Sequence, residues 1–250
     1  MISRYGKPYR LIWFGDSHTV GAELARHHGP RDDLYEISPH YRDFDDRPDL
    51  AFTSIISNKL KLPYKIFGKG STSIGFALHE LLGYLHKEHV DPEFDTHSTC
   101  AILSTTGFQR EMKIKQRHKV VHISPDESDT FGLTGAHFQV ALFQQLCINY
   151  KIFPVILPLW HQWQPIPDDY EPDTKMPEVD TSFLLNRGMQ YFTLKRPGVI
   201  RFDQEILEDG GDLRSKYIDP SIIHPNIAGH EFLADKILPD LCKMIDFADK

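Results

Sequence analysis

Leu11-Ile12-Trp13-Phe14-Gly15-Asp16-Ser17-His18-Thr19 begins as a short apolar run and stops abruptly at Gly15-Asp16-Ser17. The run has the look of a buried strand, and a helix-like stretch, Val20 to Arg26, follows it. The pattern places a serine hydroxyl at the C-terminal mouth of a strand and near a helix N-terminus. Open α/β sheets bind ligands at that edge. The exposed N–H groups and the dipole of a helix start favour negative charge, and a serine nucleophile passes through an oxyanion. Gly-Asp-Ser also makes an ordinary turn with an N-cap. The tripeptide alone leaves both readings open.

Outward from this stretch, five segments read as short buried parallel strands: Arg10–Phe14, Tyr64–Phe67, Cys100–Thr105, Phe153–Leu159 and Val199–Phe202. Helical patterns fall between them, over Leu50–Leu60, Ile74–Leu85, Phe138–Tyr150 and, more weakly, Phe183–Phe192. A last one covers Ile227–Phe247, which Pro239 is expected to interrupt or kink. Strand and helix alternate throughout, which argues for a doubly wound α/β sheet. There is no internal repeat and no low-complexity linker, so one domain over residues 1–250 is expected.

Composition narrows the function classes. The chain is 40% hydrophobic and 25% charged, with a net charge of −7. That balance argues against non-specific binding to nucleic acid or to an anionic membrane face. No apolar run approaches the roughly 20 residues that span a bilayer. Met1 to Arg10 is polar and basic, and the run after it is too short for a signal-peptide core. A cytoplasmic location is expected. Cys100, Cys147 and Cys242 are far apart and lie in apolar surroundings without metal spacing, so buried free thiols are expected.

Two long polar connections, His27 to Asp49 and His161 to Asp180, each follow a strand. Loops of this length are usually functional or disordered. Both are read as a lid or substrate wall beside Ser17, with a solvated surface excursion as the other reading. Trp160, Trp163 and Tyr170 favour the wall.

Ser17 needs a base, and one of the fourteen histidines is set apart by its context. His224 lies in Asp219-Pro220-Ser221-Ile222-Ile223-His224-Pro225-Asn226, just before the last helix. Pro225 suits the first turn of that helix. A histidine there can reach the mouth of the first strand if the two elements fold beside each other, and can take the serine proton. Its other nitrogen needs an acceptor, for which Asp219 is the natural candidate. A helix-capping histidine is the alternative for His224. Gly68-Lys69-Gly70-Ser71-Thr72-Ser73 follows the second strand, where glycines let backbone N–H groups approach a ligand. After the third strand, Gln109 or Thr106 is placed to donate to the same oxygen.

With these blocks in order, the chain resembles the SGNH/GDSL hydrolase superfamily. The resemblance implies a flavodoxin-like three-layer α/β/α sandwich with a five-stranded parallel sheet. Gly15-Asp16-Ser17 resembles the first block, which gives Ser17 the nucleophile role and a share in the oxyanion hole. Gly68 to Ser73 resembles the second, which gives the Gly70 amide an oxyanion role. His224-Pro225-Asn226, with Gly229-His230 following, resembles the last, which gives His224 the base role. Two places depart from the pattern. Gly107-Phe108-Gln109-Arg110 stands where the family has Gly-x-Asn-Asp, so Gln109 replaces the donor asparagine. Thr106 with Arg110-Glu111 is similar to a divergent, bacteriophage-like branch. The family's acid sits three residues before the histidine; Ser221 holds that place here, and Asp219 is five before. Either Asp219 reaches the ring or a backbone carbonyl orients it.

The resemblance implies a serine esterase that removes O-acyl groups, acetyl above all, from a carbohydrate or small-molecule ester through an acyl-enzyme. Acyl transfer to a sugar is a variant of it. No cofactor and no metal are expected: His27 and His28 are adjacent, and His224 and His230 lack an acidic partner at ligand spacing. The substrate is the one partner expected, without nucleic acid or membrane. The competing reading is an impaired SGNH-fold binding or structural protein, such as a phage component in a virion or host cytoplasm. A nucleotide-binding flavodoxin-like module is weaker, because the Gly-rich turn lacks a phosphate-loop context.

Overall fold

In a computed structural model, the structure describes residues 10–29, 31–38, 46–70, 72–88, 99–105, 113–115, 119–121, 129–158 and 224–248. Six strands lie in these residues: β1 (Arg10–Gly15), β2 (Tyr64–Gly68), β3 (Thr99–Thr105), β4 (Lys113–Lys115), β5 (Lys119–Val121) and β6 (Phe153–Pro158). The helices among them are α1 (Ala25–His28), α2 (Phe52–Leu60), α3 (Ile74–Glu88), α4 (Asp129–Asn149) and α5 (Ile227–Ala248).

The apolar runs form one parallel sheet in the order β2-β1-β3-β6. Side chains alternate across a strand, and β1 shows why both faces had to be apolar. Leu11 and Trp13 enter one core with Phe52 and Ile56 of α2 and Leu233, Ile237, Leu241 and Ile245 of α5. Ile12 and Phe14 enter the other with Ile74, Leu81 and Leu85 of α3 and Val140, Phe143 and Cys147 of α4. Helices therefore cover both faces, giving the expected α/β/α layering. Among the described residues the sheet has four strands. The expected fifth, Val199–Phe202, lies outside them, as do the Phe183–Phe192 helix and the His161–Asp180 connection.

Three expectations need correction. Val20 to Arg26 is not a helix: residues 16–24 make turns, and α1 is only Ala25–His28. Gly21 and Glu23 both take left-handed backbone, φ 62 and 66, which no right-handed helix accommodates. The helix expected from Phe138 begins at Asp129, and a short antiparallel hairpin, β4–β5, stands between β3 and α4. Of the interruption or kink expected at Pro239, the interruption is absent: α5 runs through it to Ala248. A proline inside a helix costs about 3 kcal/mol. Four fully or nearly buried aliphatic side chains on α5, each contributing roughly 1.5–3 kcal/mol, outweigh it.

Cys100 and Cys147 are buried free thiols, as expected, and burial pushes both up from the ordinary thiol range. Cys242 is free and only partly buried. Among the described residues, no helix is long and apolar enough to cross a membrane.

Candidate active site

The C-terminal ends of β1 and β2 lie side by side, with Gly15 opposite Gly68. Neither position has room for a side chain. A Cβ on Gly15 would stand 2.9 Å from Ser104 Cβ and closer still to the Thr19 hydroxyl, and one on Gly68 would stand 2.7 Å from Val20 Cγ1. These absences let residues 16–20 fold back over the sheet edge. The Thr19 amide donates to Asp16 O (3.0 Å), the Ala22 amide to Ser17 O (2.9 Å), and the His18 amide to the Asp16 carboxylate (3.1 Å). Asp16 thus acts as an Asx-turn acceptor that fixes the backbone on either side of Ser17.

The second block is tied to the first. The Thr72 hydroxyl lies 2.7 Å from Lys69 O and 3.2 Å from Gly15 O. Gly70 sits on this loop with open space where a side chain would be. Ser17 is 4% exposed, whereas Gly70 and His224 are half-buried.

His224 stands just before α5, whose start is set by Asn226. The Asn226 side chain accepts from the Gly229 amide (2.9 Å), making Asn226 the N-cap rather than Pro225 an occupant of the first turn. The His224 ring comes down on the turn that carries Ser17. Its centroid is 5.3 Å from that of His18, and its Nδ1 is 2.8 Å from Glu23 Oε2. With Nδ1 donating to a carboxylate, Nε2 is the nitrogen left to accept a proton. Burial, then the His18 ring, holds the His224 imidazole below its ordinary 6.5, against the opposing hydrogen bond from Glu23. The ring is therefore neutral at pH 7, the state a base requires.

His230, one turn into α5, is fully buried and does different work. Its Nδ1 accepts the Phe52 amide at 3.2 Å, capping α2, whose own N-cap position, Ala51, has no side-chain acceptor. The ring stacks on Phe52 at 6.1 Å between centroids. Burial, assisted by His18 and His224, pushes His230 down to about 3.

The described part of the His27–Asp49 connection is a brace. The Arg47 amide donates to Gly21 O (3.0 Å), and its guanidinium donates to His28 O and Gly29 O (2.9 Å each) and grips Asp49. Ile37 O accepts from the Ile66 amide (2.7 Å), covering the outer side of β2. These residues hold the Ser17 turn and the sheet edge.

Of the residues expected to act, the structure brings the His224 ring onto the Ser17 turn and sets the Gly70 loop beside it. Asp219, Thr106 and Gln109 lie outside the described residues. Sequence reasoning missed Glu23, which it had placed inside a helix. Its signal was indirect: a left-handed turn requires a break that Gly21 supplies.

No family model matches the sequence, and no curated protein matches it. Solved structures do. The psychrotrophic esterase EstA from Pseudoalteromonas sp. is 12% identical, with 95% of this chain and 99% of that one covered and a TM-score of 0.51. LAE5, an alpha/beta hydrolase enzyme from the metagenome of Lake Arreo, Spain, is 12% identical over 97% of this chain and 99% of its own, TM-score 0.50. A lipolytic protein of the G-D-S-L family from Veillonella parvula is 13% identical over 92% and 96%, TM-score 0.48. At these identities the likeness is one of fold. The chain shares its three-layer α/β/α fold with the esterase EstA and with LAE5.

Proposed function

We propose that this chain is a serine ester hydrolase that removes O-acyl groups, acetyl first among them, from a carbohydrate or small-molecule ester. The observation that carries the reading is the neutral His224 ring seated on the Ser17 turn with Nδ1 already engaged. His224 Nε2 takes the Ser17 hydroxyl proton as Oγ attacks the ester carbonyl carbon. The tetrahedral oxyanion is held by the amides of Ser17 and Gly70, with Gln109 or Thr106 as a further donor. Collapse breaks the ester C–O bond, and the departing alkoxide takes the proton from His224. Water then repeats the sequence on the acyl-enzyme: His224 accepts its proton, the acid leaves, and Ser17 regains its hydrogen. The similarly folded EstA is an esterase with a structure inhibited by monoethylphosphonate, which makes a phosphonate a suitable probe for this chain.

The test is hydrolysis of p-nitrophenyl acetate and fluorophosphonate labelling of the wild type and Ser17→Ala. Labelling and turnover confined to the wild type support the reading. Equal rates in both would leave a non-catalytic protein of the same fold. Turnover also has an expected pH dependence. Because His224 is held below 6.5, kcat/KM should stay flat through pH 7 and fall only on the acid side of 6.5, as the ring protonates. A rate that already declines between pH 8 and about 7 would contradict a base with a lowered pKa.

A further inference from the structure

We infer that Glu23, on the same turn as the nucleophile, is the positioning acid of this site, holding the His224 ring by its Nδ1 in place of an acid preceding the histidine. The inference rests on the proposed ester hydrolysis and assigns the role that Asp219 was expected to fill.

The geometry is specific. Glu23 Oε2 lies 2.8 Å from His224 Nδ1, and its other oxygen, Oε1, is 3.0 Å from the Arg26 guanidinium. The carboxylate is therefore steered from two sides. An acid in this place needs the backbone to turn left-handed, and Glu23 does so at φ 66. A non-glycine residue in that region is uncommon and strained, and it persists only when the surroundings impose it. Here they do. Gly21 takes φ 62 just before it, and Arg47 holds Gly21 O on one side and the His28 and Gly29 carbonyls on the other. The strain is concentrated at the residue whose side chain meets the imidazole.

The charge logic agrees. Burial and His18 disfavour protonation of His224, whereas Glu23 and, at longer range, Asp16 favour it. His230 shares the electrostatic neighbourhood and is neutral. Glu23 thus fixes the tautomer with Nε2 as acceptor and stabilises the imidazolium that forms when Ser17 gives up its proton. The arrangement shortens the path between the two roles: nucleophile and acid are six residues apart on one braced turn, and only the base arrives from far along the chain.

Glu23→Gln keeps the shape and removes the charge. On model esters it should lower kcat by ~10²- to 10⁴-fold with little change in KM. Glu23→Asp should recover part of that loss. The second readout is independent of turnover: ring titration by NMR, with the His224 signal identified by its loss in His224→Gln. The His224 pKa should fall further in Glu23→Gln, because the removed groups raise it. Circular dichroism and the urea midpoint of Glu23→Gln should stay close to the wild type. Asp219→Asn is the comparison. The inference requires that the Glu23→Gln loss exceed the Asp219→Asn loss by at least about tenfold. A reversed order, or an unmoved His224 titration, overturns it. If instead wild type and Ser17→Ala hydrolyse esters equally, the proposed function fails. The ring titration then decides by itself whether Glu23 holds the imidazole.

Discussion

Alanine at Ser17 or at His224 is expected to lower kcat/KM for an activated ester by about 10³-fold or more, and the double variant should be no worse than either single one. The non-additivity is the discriminating part. A hydroxyl and an imidazole that pass one proton act as a unit, so removing the second after the first costs nothing further. Independent contributions would multiply. What survives in each variant is catalysis from the oxyanion donors and from binding, and Gly70, on its own loop with open space before it, is untouched by these substitutions. Stability should barely register the His224 change. The ring is half-buried, and it touches the Ser17 turn through one hydrogen bond and the His18 contact. Purified single and double variants assayed on p-nitrophenyl acetate, beside urea unfolding, separate the two effects. Multiplicative losses would mean that Ser17 and His224 do not share a proton.

The sheet was legible because its signal is local. Leu11 to Phe14 is apolar on both faces, and both faces found helices. The first two runs also end at a glycine: Gly15 and Gly68 are paired in register and each lies under a side chain of the returning turn. The pairing of the first and last blocks was legible only through the resemblance, since no periodicity says that residue 224 lies over residue 18. What stayed hidden was decided by backbone conformation. Val20 to Arg26 has helical composition, and Gly21 within it costs only about 1 kcal/mol by propensity. The contact that overrides propensity is tertiary: Arg47, far along an apparently unstructured connection, holds the Gly21 carbonyl. Glu23 was invisible for the same reason. An acid is recognised in sequence by its spacing from the base, and this one is spaced from the nucleophile instead.

His230 should dominate the acid sensitivity of the fold. The sequence places it just after the last block, yet its ring is fully buried against Phe52 of α2. His230→Ala removes the acceptor from the α2 N-terminus and leaves a void against Phe52, and the two losses together are expected to cost about 3 kcal/mol or more. In the folded chain the imidazole stays neutral down to about 3, whereas in the unfolded chain it protonates near 6.5. Between those values the unfolded state binds the extra proton. The stability contributed by neutral His230 is thus complete above about 6.5 and lost as pH falls toward 3, at up to about 1.4 kcal/mol per pH unit. His230→Gln supplies an amide oxygen that cannot titrate. Its unfolding free energy, measured against urea from pH 7.5 to 4.5, should be lower than the wild type's at neutral pH and converge on it as the pH drops. The difference between the two curves isolates this one group from the carboxylates that titrate in both proteins. Parallel curves would mean that His230 titrates alike in the folded and unfolded states, and the amide of Phe52 would then need another acceptor as the ring protonates.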